Sequence, residues 1–300
     1  MTGSMSAHAE IVRPLPDLSS WLRRFREAEI PVLRETIEAI GALGENEEAT
    51  DANSIGEMIG GDPLMTLKVL VHASMHRGRR VETSAETIIA ALVMMGIPPF
   101  FRAFADQTAV EDRLGADEPA LAGIGRVLRR AHRGARFALA FAIHRTDPNA
   151  ATIHAATLLH EFAELLLWCH APKLALAIEA IQRDDVTVRS SAAQLQVLHI
   201  DLASLQEALI SAWQLPRLLS ETGPESKAGH AGARTVSLSA RLARHSAQGW
   251  DNAAVPDDIS EISQLLNLSA AATLQLAKDT DVDWPGDQAR SSSSVSNTSE

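Results

Sequence analysis

Leu158-Leu159-His160-Glu161-Phe162 sets an adjacent imidazole and carboxylate at the end of an apolar run, with a second acid, Glu164, one turn further on. The surrounding stretch, 151–169, has the composition of a helix, and Pro172 marks its end because the residue before a proline avoids helical backbone. Adjacent residues on a helix point about 100° apart. A metal ion can lie in the notch between them when other helices supply the remaining ligands. Two further histidines stand at helical positions, one upstream in Arg130-Ala131-His132-Arg133 and one downstream in Val197-Leu198-His199-Ile200-Asp201.

Working outward, helix signals recur along the chain. Asp17 or Ser19 can cap a helix bearing Leu18, Trp21, Leu22 and Phe25, and Pro31 suits the first turn of a second one. Ser54 opens a short helix that stops at Gly60-Gly61. Asp62-Pro63 starts the next, the Asp as cap and the Pro in the first turn, and it runs to about Met75. Residues 77–81 form a basic connector, and Thr83-Ser84-Ala85-Glu86 reads as a capping box for a helix ending at Gly96. A long Arg-rich helix is expected over 118–145, broken by Asp147-Pro148. Others follow at about 174–183, 188–198, 202–213, 234–245, 257–266 and 269–278. No period-2 strand of useful length occurs. The expected fold is all-α: residues 1–16 as a flexible lead-in, 17–115 as an N-terminal helical subdomain, 116–278 as a second helical bundle, and 279–300 as a Ser-rich, disordered tail.

Composition agrees. The 300 residues are 46% hydrophobic and only 4% aromatic, with no Tyr, which suits helices better than sheets. A formal net charge of −11 argues against nucleic acid or an anionic membrane as partner, and no helix with a basic first turn recommends itself as a DNA-recognition helix. The single cysteine, Cys169, fits a reducing compartment and reads as core. With no signal-peptide pattern and no apolar run near the ~20 residues that span a bilayer, a cytoplasmic location is expected. Gly123-Ile124-Gly125 lacks the strand and third glycine of a dinucleotide site. His72 and His76 share a helical face but have no evident third ligand.

Taken together, these segments resemble the HDOD family, the non-catalytic relatives of HD and HD-GYP metal phosphohydrolases. Asp62-Pro63-Leu64 with Leu67, Leu70 and Ser74 is similar to the family's first signature, with Ala73 where an Asn is usual. Residues 84–96, with Ala91-Leu92 and Met95-Gly96, resemble its second helix. His132 matches the early His, Leu158-Leu159-His160-Glu161 the Leu-Leu-His-Asp motif, and His199 with Trp213-Gln214-Leu215-Pro216 the closing motif. The resemblance covers about 30–220 and implies an HD-like helical bundle and a regulatory role without a cofactor. Such a protein acts through a protein or small-ligand partner, in the first place another signalling protein.

Departures from the catalytic pattern bear on function. Glu161 replaces the usual Asp, the Gly-Lys that often follows is absent, and Asp184 and Asp185 fall in an expected loop and offer no convincing final ligand. His132, His160, Glu161 and His199 are therefore expected to form a vestigial site satisfied by internal hydrogen bonds, without metal. The alternative is a metal-dependent phosphohydrolase of a nucleotide or cyclic dinucleotide, with His132, His160 and Glu161 holding Mn²⁺ or Fe²⁺. Arg126, Arg129, Arg130, Arg133 and Arg136 share one broad helical face. They are expected to be a solvated stripe paired with acids, and the functional alternative is a groove for a small anion or nucleotide.

Overall fold

The computed structural model describes residues 10–76, 85–220 and 231–281, leaving aside the side chains of Arg217 and Ser220. Residues 1–9 of the expected lead-in, the connector at 77–81, Thr83 and Ser84 of the expected capping box, and 282–300 of the expected tail lie outside these. Among the described residues all regular structure is helical apart from one isolated bridge.

The N-terminal part holds α1 (Leu18–Glu27), α2 (Arg34–Gly44), α3 (Ala52–Ile59), α4 (Pro63–Met75), α5 (Ile88–Met95), α6 (Ile97–Phe104) and α7 (Val110–Leu114). Asp17 caps α1, accepting from the Ser20 amide at 2.8 Å, and the helix buries Trp21 and Phe25, one turn apart. Trp21 Nε1 donates to the Leu198 carbonyl at 3.1 Å and so ties the chain's start to its middle.

Asp62 does more than cap α4. Its Oδ1 accepts from the Leu64 and Met65 amides, while its Oδ2 accepts from the Leu33 amide and the Thr36 hydroxyl at 2.8 and 2.9 Å. That contact accounts for one departure from expectation. Pro31 stands in extended chain, where Val32 pairs with Ala109, and α2 begins only at Arg34. Two other helix starts also differ: Asp51, not Ser54, caps α3, and Thr87 caps α5.

The central element is α8 (Glu118–His144), 27 residues and so about 40 Å long. Around it follow α9 (Ala150–Leu158), α10 (Phe162–His170), α11 (Pro172–Asp184), α12 (Ser190–Leu198), α13 (Leu202–Ala212) and α14 (Arg217–Ser220). One hydrophobic core runs from Ile11 through these helices to Val236 and includes Ile124, Val127 and Trp168. Ser74 on α4 donates to the carbonyls of Trp213 and Gln214 at 2.8 and 3.1 Å, joining the first signature segment to the last.

Three more helices close the structure: α15 (Ala231–His245), α16 (Val255–Leu266) and α17 (Ala270–Asp281). They pack on the far side of α8 through a second core built on Phe137, Phe141, Leu242, Ile259 and Ile262. The last helix continues to Asp281, three residues past the expected boundary at 278. With one face on each core, α8 is the spine of the molecule, and the charged groups along its remaining face look into a groove.

Candidate functional site

The segment 151–169 is two helices, not one. α9 ends at Leu158, α10 begins at Phe162, and Leu159, His160 and Glu161 form the turn between them. Gln206 of α13 makes the break tolerable. Its Nε2 donates to the His160 carbonyl at 2.6 Å and its Oε1 accepts from the Ala163 amide at 3.2 Å, so the backbone groups released by the turn are satisfied. His160 and Glu161 thus project from a turn clamped by a residue more than forty positions away.

Glu161 meets two guanidinium groups. Arg130 Nε lies 2.5 Å from Oε2, and Arg244 NH2 is paired with Oε1. Arg130 also reaches Glu164 at 2.7 Å. Burial would raise the Glu161 carboxyl, but Arg130 and Arg244 outweigh it and hold it down at about 2. Burial raises Glu164, Arg130 draws it down and Glu161 pushes it up, which leaves it above the ordinary carboxylate range. The same acids lift Arg130 further still, against the cost of its burial. The arrangement is an interhelical ion cluster linking α8, the α9–α10 turn, α10 and α15.

His132 points elsewhere. Two residues from Arg130 on a helix is a rotation of about 200°, so the face that gives Arg130 to Glu161 turns His132 away. Its imidazole neighbours His154 of α9, and burial together with that neighbour pushes its pKa down to about 4. His160 borders a small void with Thr157, Gly134 and Ala240 that has no room for a water. Its Nδ1 is buried without a hydrogen-bond partner among the described residues, and burial depresses its pKa. His199 sits exposed at the end of α12 in left-handed conformation, φ 65°, and borders neither the void nor the groove. Of the four expected site residues, only His160 and Glu161 are brought together. Among the described residues no three His, Cys, Asp or Glu side chains converge as metal ligands would.

The arginine stripe divides. Arg126, Arg129, Arg130 and Arg133 line a groove of about 780 Å³, whereas Arg136 turns to the Thr280 carbonyl and ties down the end of α17. Three of the four groove arginines of α8 are paired with acids. Arg126 forks onto Glu179, and Arg133 grips both oxygens of Asp281 at 2.8 Å. Arg129 is exposed and has no ion-pair partner among the described residues. The opposite wall is the end of α15 and the turn after it, with Arg244, His245 and Trp250. His245 Nδ1 lies 2.6 Å from Oδ2 of Asp258, which is buried on α16 and also accepts from Arg241 Nε at 2.6 Å.

Sequence inspection passed over Arg244, His245, Trp250 and Asp258. A signal was present in the spacing of Arg241 with Arg244 and His245 on one helix, and of Asp258 with Glu261 on the next. Two other sequence features have structural roles: Cys169 is buried and burial pushes its thiol up, and the His72 and His76 rings stack at 4.1 Å.

Comparison with known proteins agrees with this architecture. The fold is similar to that of the MmoQ response regulator from Methylococcus capsulatus, with a TM-score of 0.62 at 18% identity over 83% of this chain and 98% of that one. It is also similar to a virulence factor from Campylobacter jejuni, with a TM-score of 0.57 at 16% identity over 90% and 94% of the two chains. No curated protein matches the chain. The family model of the HDOD domain matches residues 30–226, taking in every segment from α2 to the Trp213 motif. This chain belongs to the HDOD domain family.

Proposed function

We propose that the protein is a non-enzymatic regulator that transmits a signal by binding, either to another signalling protein or to a small anionic ligand. One observation carries this reading: both carboxylate oxygens of Glu161 are held by guanidinium groups. A divalent ion needs free oxygen and imidazole donors around one point, with an open position for water or substrate. Here Arg130 and Arg244 put fixed positive charge on the acid, His132 faces His154, and the void beside His160 admits no water. A second cation at Glu161 would have to displace a partly buried arginine that Glu164 also holds. The residues present do not fit a catalytic metal.

Support for a signalling role comes from family membership and from the response-regulator description of MmoQ, whose fold this chain shares. No described helix is long and apolar enough to cross a membrane. The test is a phosphodiester assay with bis(p-nitrophenyl) phosphate and added Mn²⁺ or Fe²⁺, run beside a pull-down from native lysate. The expected result is no hydrolysis above that of His160→Ala and a specific protein or ligand retained by the chain. A robust metal-dependent rate abolished by His160→Ala overturns the proposal.

A further inference from the structure

The groove along α8 offers chemistry that the Glu161 cluster does not use. In a chain of formal charge −11, five arginines line this one depression: Arg126, Arg129, Arg130, Arg133 and Arg244. Three carboxylates line it with them, Glu164, Glu179 and Asp281, and Glu161 stands behind Arg130 and Arg244. Among the described residues, five guanidiniums against four carboxylates leave a local positive excess, and Arg129 is the arginine with no ion-pair partner there. Arg244 is half exposed even with its bond to Glu161 and keeps donors toward the groove.

His245 adds a directed group. The buried Asp258 takes its Nδ1, and Arg241 holds Asp258 in turn. With Nδ1 engaged by a carboxylate, the ring's orientation is fixed, and Nε2 is the nitrogen left to donate to an anionic ligand when the ring carries both protons. Trp250 lies on the same wall, set by Phe137 edge-on at 6.1 Å and by Lys278 over its ring, and supplies apolar surface beside the cations. Asn252 and Gln248 border it with neutral polar groups. The volume, about 780 Å³, is that of a small-molecule site. Planar guanidinium forks are matched to phosphate oxygens.

We propose that this groove binds a phosphorylated small molecule of mononucleotide size, with Arg129, Arg244 and the Asp258-held His245 as its phosphate contacts. The proposal deepens the small-ligand form of the reading above and rests on it. The second wall, from Arg244 to Asn252, lies past residue 226, where the match to the family model ends, whereas Arg129 on α8 lies within it.

The test is calorimetric titration of the full chain with inorganic phosphate, pyrophosphate, AMP and GMP, with an oligoglutamate peptide as a further arm. Saturable one-to-one binding of at least one phosphorylated probe is expected, weakened about tenfold or more in Arg129→Gln and in His245→Gln, a loss of about 1.4 kcal/mol each. Arg129 is exposed and unpaired among the described residues, so Arg129→Gln keeps the fold, as circular dichroism will verify. No saturable binding by any phosphorylated probe, equal affinity in both variants, or tighter binding of the oligoglutamate peptide would each overturn the proposal. Failure here leaves the non-catalytic reading standing, whereas turnover of a bound nucleotide would sink that reading and leave the binding site in place.

Discussion

Arg130 Nε lies 2.5 Å from Glu161 Oε2, so that an arginine of α8 fills the side of the carboxylate that faces α8. The contact fastens the α9–α10 turn to the central helix and neutralises the acid that follows His160. Glu161 therefore works as a structural ion-pair partner, and its substitution should show in stability. Glu161→Gln leaves Arg244 unpaired and Arg130 with Glu164 alone. We expect a loss of about 3 kcal/mol, since removing one partner of a mostly buried pair strands the other. Urea denaturation checks this, and a change under about 0.5 kcal/mol, the scale of an exposed pair, would contradict it.

Asp62 is the second structural acid. It is 3% exposed and accepts four hydrogen bonds, two from its own helix and two from the segment entering α2. Asp62→Ala should cost about 3 kcal/mol, combining a lost cap with buried donors left unsatisfied. The melting temperature of the variant is the readout. A value equal to that of the unsubstituted protein would mean that these bonds contribute nothing net.

The paired glycines of α8 should respond in opposite directions. A Cβ on Gly123 would run into the ring of Trp168, which is fully buried and cannot yield, so Gly123→Ala should destabilise by about 2 kcal/mol. A Cβ on Gly125 would meet only the flexible end of Arg129, at 3.4 Å. Gly125→Ala should therefore gain about 0.5–1 kcal/mol from helix propensity. Thermal melts of the two variants compare them directly, and equal shifts would refute the packing role of Gly123.

Acid should weaken the fold first through its buried imidazoles. Burial pushes His132 down to about 4 and His170 to about 3, and depresses His154 and His160 as well. Each is held neutral when folded, so below pH 6.5 the unfolded chain binds more protons than the folded one. Stability then falls as pH drops from 6.5 toward 4, on the order of 1 kcal/mol per pH unit. Glu161 adds its own loss below about pH 4.5, the usual carboxylate value, as pH approaches its folded value of about 2. Urea midpoints at pH 7.5, 6 and 5 should decline, and the decline should be shallower in His132→Gln. A flat profile would contradict the burial of these imidazoles in neutral form.

The helical architecture was legible because its punctuation is local. Asp62-Pro63, Gly96, Asp147-Pro148 and Pro172 each mark a boundary that the structure respects. The turn at His160-Glu161 was not legible, because the apolar run continues through it and the group that stabilises the break, Gln206, comes from another helix. Pro31 misled for a similar reason, since the extended stretch it begins is held by Ala109 and Asp62. At the site, the spacing of the arginines on α8 revealed a shared face but not its partners. Glu179, Asp281 and Arg244 arrive from helices whose packing no local pattern encodes. Position in sequence identified His132 and His160 as a pair; the 200° turn of α8 between Arg130 and His132 separates them.

Elemental analysis of the full chain, purified from cells supplied with manganese and iron and dialysed without chelator, shows whether His160 and Glu161 hold a metal ion. With Glu161 committed to Arg130 and Arg244, metal should stand at background level, the same in the protein and in His160→Ala. One equivalent of bound Mn or Fe, lost in His160→Ala, would contradict that expectation.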